Sequence, residues 1–275
     1  MEKASARLRA ARVPHPRRDA LLLLADAMGT DKAIALAHGE VRIPREALGR
    51  LDAALSRRLG REPLQYIRGF HEFWGLRVLV GPGCLVPRPE TEHLVQESLE
   101  ALRGTPRPRV AEMGAGSGCI LMALAQERPD GLFWGVERSG AALAWARRTC
   151  APYENVRLLR GDLAGFPVLR GLDLLVSNPP YVTDGEWEGL PPEVRDHEPS
   201  QALRCGGEAL GIYRRLAQWA VRGLKNGGYL AVELGAAQAR RASGLRRLHP
   251  GLEWVRGTRD YADRLRVAVW RRREQ

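Results

Sequence analysis

The 275 residues suffice for one large domain and a smaller companion, and 44% hydrophobic with 27% charged residues is the composition of a globular chain, not a disordered or fibrous one. No apolar run reaches the roughly 18 residues of a transmembrane helix, and the arginine-bearing N-terminus lacks the apolar core of a signal peptide. Cys84, Cys119, Cys150, Cys205 and the six histidines show no disulfide-framework or metal-ligand spacing, so a cytoplasmic chain with reduced thiols and no metal is expected.

Residues 1–66 read as a small helical domain. DALLLLADAMG (19–29) ends on a helix-stopping glycine, and DKAIALAHGE (31–40) starts at an N-cap residue, Asp31. Pro44 suits the N1 position of a helix over 44–60, in which Leu48, Leu51, Leu55 and Leu59 recur at helical spacing and are expected in a bundle core. From 67 to 90 the pattern changes. FHEFWGLRVLVGPGCLVPRP (70–89) alternates and is broken by glycine and proline, which predicts a β-hairpin linker. A helix follows over 91–104, with Thr91 as its expected N-cap.

From residue 109 strand and helix patterns alternate. Strands are expected at RVAEMG, GLFWGVER, NVRLLRGD, LDLLVSN, GGYLAVELG (227–235), LEWVRGT and RLRVAVW. Helices are expected at SGCILMALAQERP, SGAALAWARRT, around 208–223 and around 236–248. Seven strands with helical crossovers and a tight last pairing predict an α/β fold, a Rossmann-like doubly wound sheet, within a domain spanning 91–275.

Ligands of such a sheet bind beyond the carboxyl ends of its strands. After the first strand, Gly114, Ala115, Gly116, Ser117 and Gly118 form a loop that turns tightly and offers helix-opening amides. Glu137 ends the second strand about 20 residues later, where a carboxylate accepts from ribose hydroxyls. Asp162, after the third strand, is placed to meet an adenine amino group, with Leu163 flanking the ring. NAD and S-adenosylmethionine would both satisfy these three features.

The fourth strand end separates them. SNPPYV (177–182) carries two prolines that donate no backbone hydrogen bond, fix their own φ and push the preceding residue into an extended conformation. Asn178 and Pro179 thus present rigid acceptors suited to a planar NH2 group. A methyltransferase acting on a planar nitrogen needs such a grip, whereas a dehydrogenase has no evident use for one.

EPLQYIRG (62–69), EFWGL (72–76), PRPETE (87–92), SNPPYV and DYADRLRVAV (260–269) together resemble the HemK/PrmC family of class I S-adenosylmethionine-dependent methyltransferases, over nearly the full chain. The resemblance implies methyl transfer from S-adenosyl-L-methionine, leaving S-adenosyl-L-homocysteine, to the glutamine N5 of the Gly-Gly-Gln motif of peptide chain release factors. It implies Asn178 and Pro179 as the catalytic grip, Asn178 also beside the cofactor, Pro180 and Tyr181 as substrate contacts, and residues 1–66 as the recognition domain. The chain departs from the family at Glu112 and Glu137, where Asp is usual, and at Arg204-Cys205.

A carboxamide nitrogen is a poor nucleophile because its lone pair is delocalised, so holding its two N–H groups on two fixed acceptors contributes through orientation. Arg88 and Glu90 suit either closure of the site or an interdomain salt bridge, and Glu198 and Glu233 are expected outside the site as loop and strand-end residues. Two rivals remain. A nucleic-acid amino methyltransferase fits the net charge of +11, but that charge is nearly all arginine spread along the chain, and residues 1–66 are almost without aromatics for stacking bases. A catalytically silent S-adenosylmethionine-binding adaptor is opposed by the intact Asn178. A monomer without a dedicated nucleic-acid site is expected.

Overall fold

The computed structural model describes residues 1–37, 43–206, 210–239, 242–260 and 262–274. Its contacts divide the chain into two units, Met1–Phe70 with Pro191–His197, and His71–Leu190 with Glu198–Gln275.

The smaller unit is helical: α1 (Glu2–Ala10), α2 (Pro16–Met28), α3 (Lys32–Ala37), α4 (Arg45–Leu59) and α5 (Leu64–Arg68). Pro16 opens α2, and Gly29 at φ 65° closes it in the left-handed conformation that glycine adopts without strain. The Asp31 carboxylate accepts the Ala33 amide at 2.7 Å and caps α3, while 38–40 of the expected helix lie outside the described residues. Pro44 takes the cap position of α4 instead of N1. The buried row of α4 runs Ala47, Leu51, Leu55 and Arg58, so Leu48 falls at its edge and is 43% exposed, against the expectation of a core position. Leu51 and Leu55 pack with Leu8, Leu23 and Leu64, and Leu59 lies partly buried against them.

From Phe70, the last residue of the first stretch of the smaller unit, β1 (Phe70–Phe73) and β2 (Leu76–Leu79) pair as a hairpin whose two turn residues, Trp74 and Gly75, both have positive φ. Trp74 is not a glycine, and its amide is anchored on Glu92 Oε1 at 2.8 Å. The chain continues as α6 (Thr91–Ala101), β3 (Arg109–Met113), α7 (Cys119–Glu127), β4 (Leu132–Glu137), α8 (Gly140–Cys150), β5 (Val156–Arg160) and β6 (Leu172–Ser177). Three short helices follow, α9 (Asp184–Trp187), α10 (Pro192–Arg195, in the smaller unit) and α11 (Ser200–Leu203). Then come α12 (Gly211–Gly223), β7 (Leu224–Glu233), α13 (Ala236–Ala239), α14 (Ala242–Arg246), β8 (Leu252–Arg259) and β9 (Leu265–Arg272). The helix expected over 236–248 is thus two short ones, with 240–241 outside the described residues.

The seven-stranded sheet has the order β5-β4-β3-β6-β7-β9-β8. Its first five members are parallel, and β9 runs antiparallel to both β7 and β8. Because side chains alternate across a strand, Ala111, Met113, Leu175, Leu230 and Val232 reach one face, where Tyr213, Leu216, Trp219 and Ala220 of α12 cover them. The intervening Val110, Leu174, Val176 and Ala231 are equally buried on the other face, where α6 packs on β6, β7 and β9. Burial on both faces explains why LDLLV is apolar apart from Asp173 and shows no polar alternation. The order of the chain reverses between β3 and β6, the place where an open α/β sheet leaves a crevice.

Residues 191–197 join the smaller unit through charge. Arg58 and Asp19, 5% and 3% exposed, pair at 2.9 Å; Glu193 closes on Arg58 at 3.0 Å and on Arg61 at 2.7 Å. A buried guanidinium stripped of a partner is costly, so Glu193→Ala should destabilise this unit by roughly 3 kcal/mol in urea denaturation. Glu100→Ala, which removes an exposed pair with Arg103, should change stability by less than about 0.5 kcal/mol. Equal small effects from both would show that the Arg58 cluster contributes no more than a surface pair.

Candidate active site

The glycine loop after β3 holds three positive φ values, 78° at Gly114, 55° at Gly116 and 79° at Gly118, which side-chain-bearing residues rarely adopt. Its parts serve different ends. A Cβ on Gly118 would stand 2.8 Å from Cys150 Sγ, so this glycine lets the loop close on α8. A Cβ on Gly114 would meet nothing within 4 Å, because that glycine faces a cleft. The cleft, about 1060 Å³ with its open mouth, is also lined by Gly116, Glu137, Asp162, Leu163, Asn178 and the two prolines after it. Ala115 and Ser117 are buried and, like Gly118 and Tyr181, do not line it.

The Glu137 carboxylate is held by backbone donors on both oxygens, Gly116 N at 2.9 Å and Ser139 N at 2.7 Å. Each oxygen keeps a further lone pair, so a hydroxyl in the cleft can still be accepted. Asp162 accepts the Ala164 amide at 2.9 Å and lies 3.5 Å from Arg138, while Leu163 and, from α12, Ile212 and Leu216 supply apolar wall. The arrangement, two glycines leaving open space, a fixed carboxylate and an apolar slot, suits a polar ligand with a flat ring.

The other half of the site begins where Ser177 Oγ donates to the Met113 carbonyl at 2.6 Å and ties the end of β6 to that of β3. Asn178 follows, and its Nδ2 donates to Thr91 Oγ1 at 3.2 Å. Thr91 in turn donates to Glu233 Oε2 at 2.7 Å, and Tyr181 OH donates to Glu233 Oε1 at 3.2 Å. Tyr213 OH bonds the Glu233 main-chain carbonyl at 3.1 Å, and Gln238 Nε2 the Tyr181 carbonyl at 3.1 Å. Gly235 is needed here, since a Cβ would come within 2.5 Å of the Tyr181 ring. Among the described residues, neither Asn178 Oδ1 nor the Pro179 carbonyl receives a hydrogen bond.

Several side chains sit elsewhere than the sequence suggests. Thr91 is the first residue of α6, with Glu90 at the cap position, and its hydroxyl donates to Glu233. Glu233 and Glu198, expected as bystanders, are both buried and both bonded into this region. Glu198 accepts the Val86 amide at 3.0 Å and Arg88 at 2.7 Å, and Glu90 lies 3.7 Å from Arg266, so both pairs stay within the larger unit. The available signal was a glutamate directly after Leu230-Ala-Val232, a charge closing an apolar, buried run. Glu112 is fully enclosed, and burial with Glu137 nearby pushes its carboxyl well up. Arg204 pairs with Asp184 at 2.6 Å and lies over Trp187, bracing the loop that follows the two prolines.

Comparison with known proteins gives a consistent picture. Residues 1–69 match the PrmC N-terminal domain family and residues 91–238 the methyltransferase small domain family. The release factor glutamine methyltransferase of Cereibacter sphaeroides is 40% identical over 89% of this chain and 87% of its own. That of Streptomyces coelicolor is 42% identical over 84% and 82%, and that of Escherichia coli 35% over 93% and 92%. Among solved structures, the hMettl16 catalytic domain (TM-score 0.56, 16% identity, 84% of this chain and 82% of that one) shares the fold. So does a methyltransferase from Pyrococcus furiosus (TM-score 0.53, 19% identity, 73% and 90%).

Glu233 carries a pH signature. Burial raises its pKa from 4.5 to about 7, opposed by the hydrogen bonds from Thr91 and Tyr181. A raised folded value means the fold favours the protonated acid, so this contribution is complete below about pH 4.5 and is lost as the pH rises through about 7. Wild-type stability should therefore fall relative to Glu233→Gln by roughly 3 kcal/mol between about pH 4.5 and 8 in urea titrations. A difference that stays level over that range would contradict the raised carboxyl.

Proposed function

The chain belongs to the release factor glutamine methyltransferase family, and on that premise we propose that it transfers a methyl group from S-adenosylmethionine to the side-chain nitrogen of the glutamine in the Gly-Gly-Gln motif of peptide chain release factors. The reading carries with it a cytoplasmic place of action, where those factors work. The observation that supports it most is the pair of unengaged acceptors, Asn178 Oδ1 and the Pro179 carbonyl, at the lip of a cleft.

A glutamine NH2 has two in-plane N–H groups. Accepting one on Asn178 Oδ1 and the other on the Pro179 carbonyl fixes the nitrogen and its plane, so that the out-of-plane lobe is directed into the cleft. Orientation of this kind is worth up to about 7–11 kcal/mol when ideal. As the nitrogen gains positive charge, the same two oxygens stabilise it more strongly than the neutral amide. No dedicated base is required, because the alkylated amide sheds its proton to water readily. S-adenosylmethionine, when bound, supplies a methyl group already activated on a sulfonium. The open space over Gly114 and Gly116, the Glu137 carboxylate and the Asp162–Leu163 wall fit its amino-acid tail, ribose and adenine.

The helical unit is the reading's release-factor docking part, supported by its family match and by exposed Ile34, Leu36 and Leu48 on α3 and α4. Charging that surface with Ile34→Asp and Leu36→Asp should raise KM for a release factor at least about 5-fold, with kcat and cofactor affinity unchanged. An unaltered KM would remove the patch from recognition.

With labelled S-adenosylmethionine, label should enter a release factor and not duplex DNA or ribosomal RNA; the reverse pattern would overturn the proposal. Asn178→Ala should lower turnover at least about 100-fold while cofactor affinity, read by calorimetry, changes by less than about 3-fold. Near-normal turnover would show that this amide does not hold the substrate.

A further inference from the structure

A primary amide side chain is ambiguous, since its oxygen and NH2 are nearly the same size and a half-turn about χ2 exchanges them. For Asn178 the choice is decisive. With Oδ1 toward the cleft it accepts a substrate N–H, and with Nδ2 there it opposes one donor with another. Asn178 lies beyond the end of β6, where no regular ladder determines its χ2.

We propose that Thr91 and Glu233 are positioning residues that set the Asn178 amide with its oxygen toward the substrate, through a directional chain in which Asn178 Nδ2 donates to Thr91 Oγ1 and Thr91 donates to Glu233 Oε2. The direction comes from the far end. Glu233 is buried, and its carboxylate can only accept. The Thr91 proton is therefore committed to Glu233, at 2.7 Å, and the lone pairs left on Oγ1 can only receive a proton. Asn178 answers with its NH2, at 3.2 Å, leaving Oδ1 for the cleft. The other carboxylate oxygen accepts from Tyr181, so one acid holds both sides of the two-proline corner. The inference deepens the function proposed above and rests on Asn178 receiving the substrate nitrogen.

The surroundings of Glu233 favour the neutral acid below about pH 7, so the chain is directional above that pH, where the carboxylate is ionised. Thr91 reaches it from α6, with Glu90 one residue before; Tyr181 from the loop after β6; and the Tyr213 hydroxyl from α12, on the main-chain carbonyl. From β9 Arg266 faces it, with its own charge shared between Asp260 at 2.8 Å and Glu90 at 3.7 Å. Arg88 lies toward Tyr181 and is paired with Glu198. No cation binds Glu233 directly among the described residues; hydroxyls do, and burial holds its pKa up at about 7. Protonation turns one acceptor of the pair into a donor, and one of the two hydroxyls then loses its acceptor.

Three variants of the full chain test this in methyl-transfer assays with a release factor. Thr91→Val keeps the shape and removes the hydroxyl; kcat should fall about 10- to 100-fold, with KM and cofactor affinity within about 3-fold. Thr91→Ser, which restores the hydroxyl, should recover most of that loss. Glu233→Gln keeps the shape without ionising, so the ratio of wild-type to variant kcat should grow from pH 6 to pH 8, which a purely structural carboxyl would not produce. Circular dichroism establishes that each variant is folded under assay. Near-normal kcat in Thr91→Val, or a ratio for Glu233→Gln that does not move with pH, overturns the inference. If Asn178→Ala is inactive while these variants turn over normally, only the positioning chain fails. If Asn178→Ala is itself active, the grip fails.

Discussion

A single hydrogen bond across the reversal of strand order organises this protein. Strands β3 and β6 are sequence-distant neighbours, and Ser177 Oγ on the Met113 carbonyl locks their ends together at 2.6 Å. On one side of that lock the chain turns through glycines into a ligand cleft, and on the other it enters two prolines. The proposed cofactor pocket and substrate grip thereby share a common edge. The parallel sheet makes this possible, because every parallel strand delivers its carboxyl end to the same side.

Around this edge the protein buries several carboxyls and treats each differently. Glu137 is satisfied by two main-chain amides, and Glu198 by an amide and the Arg88 guanidinium. Glu112 has one oxygen with no partner among the described residues, and its carboxyl is pushed well up. Glu233 has only hydroxyls, which oppose the burial penalty weakly. A cation bound to Glu233 would have made the fold more stable at high pH, but a hydroxyl passes on direction, from carboxylate to threonine to asparagine. In the proposed positioning role, stability is given up where geometry at the substrate is set.

The order of strands and helices was legible because periodicity is local. LDLLV announces a strand buried on both faces, Gly29 ends a helix, and Trp74-Gly75 turns a hairpin, each from residues within a few places of one another. Leu48 and Thr91 show where that reasoning stops. Leucine spacing alone does not say which i, i+4 row faces the core, and Ala47 belongs to it instead. Threonine near a helix start is a cap by local preference, but Thr91 stands one residue inside α6 and its hydroxyl instead serves a buried carboxylate far along the chain.

The sequence by itself determined the pieces of the site: the stiffness of Asn178-Pro-Pro180, the freedom of the glycine loop, the acid at the end of the second strand of the sheet. Those properties follow from the covalent chemistry of adjacent residues. Only the tertiary structure decided what the pieces meet. Thr91 and Glu233, 142 residues apart, come together beneath Asn178, and Glu193 crosses into the helical unit to reach Arg58, 135 residues away. Contacts of that separation leave no periodic trace in a chain, since they depend on how whole elements pack and not on the spacing of neighbours along it.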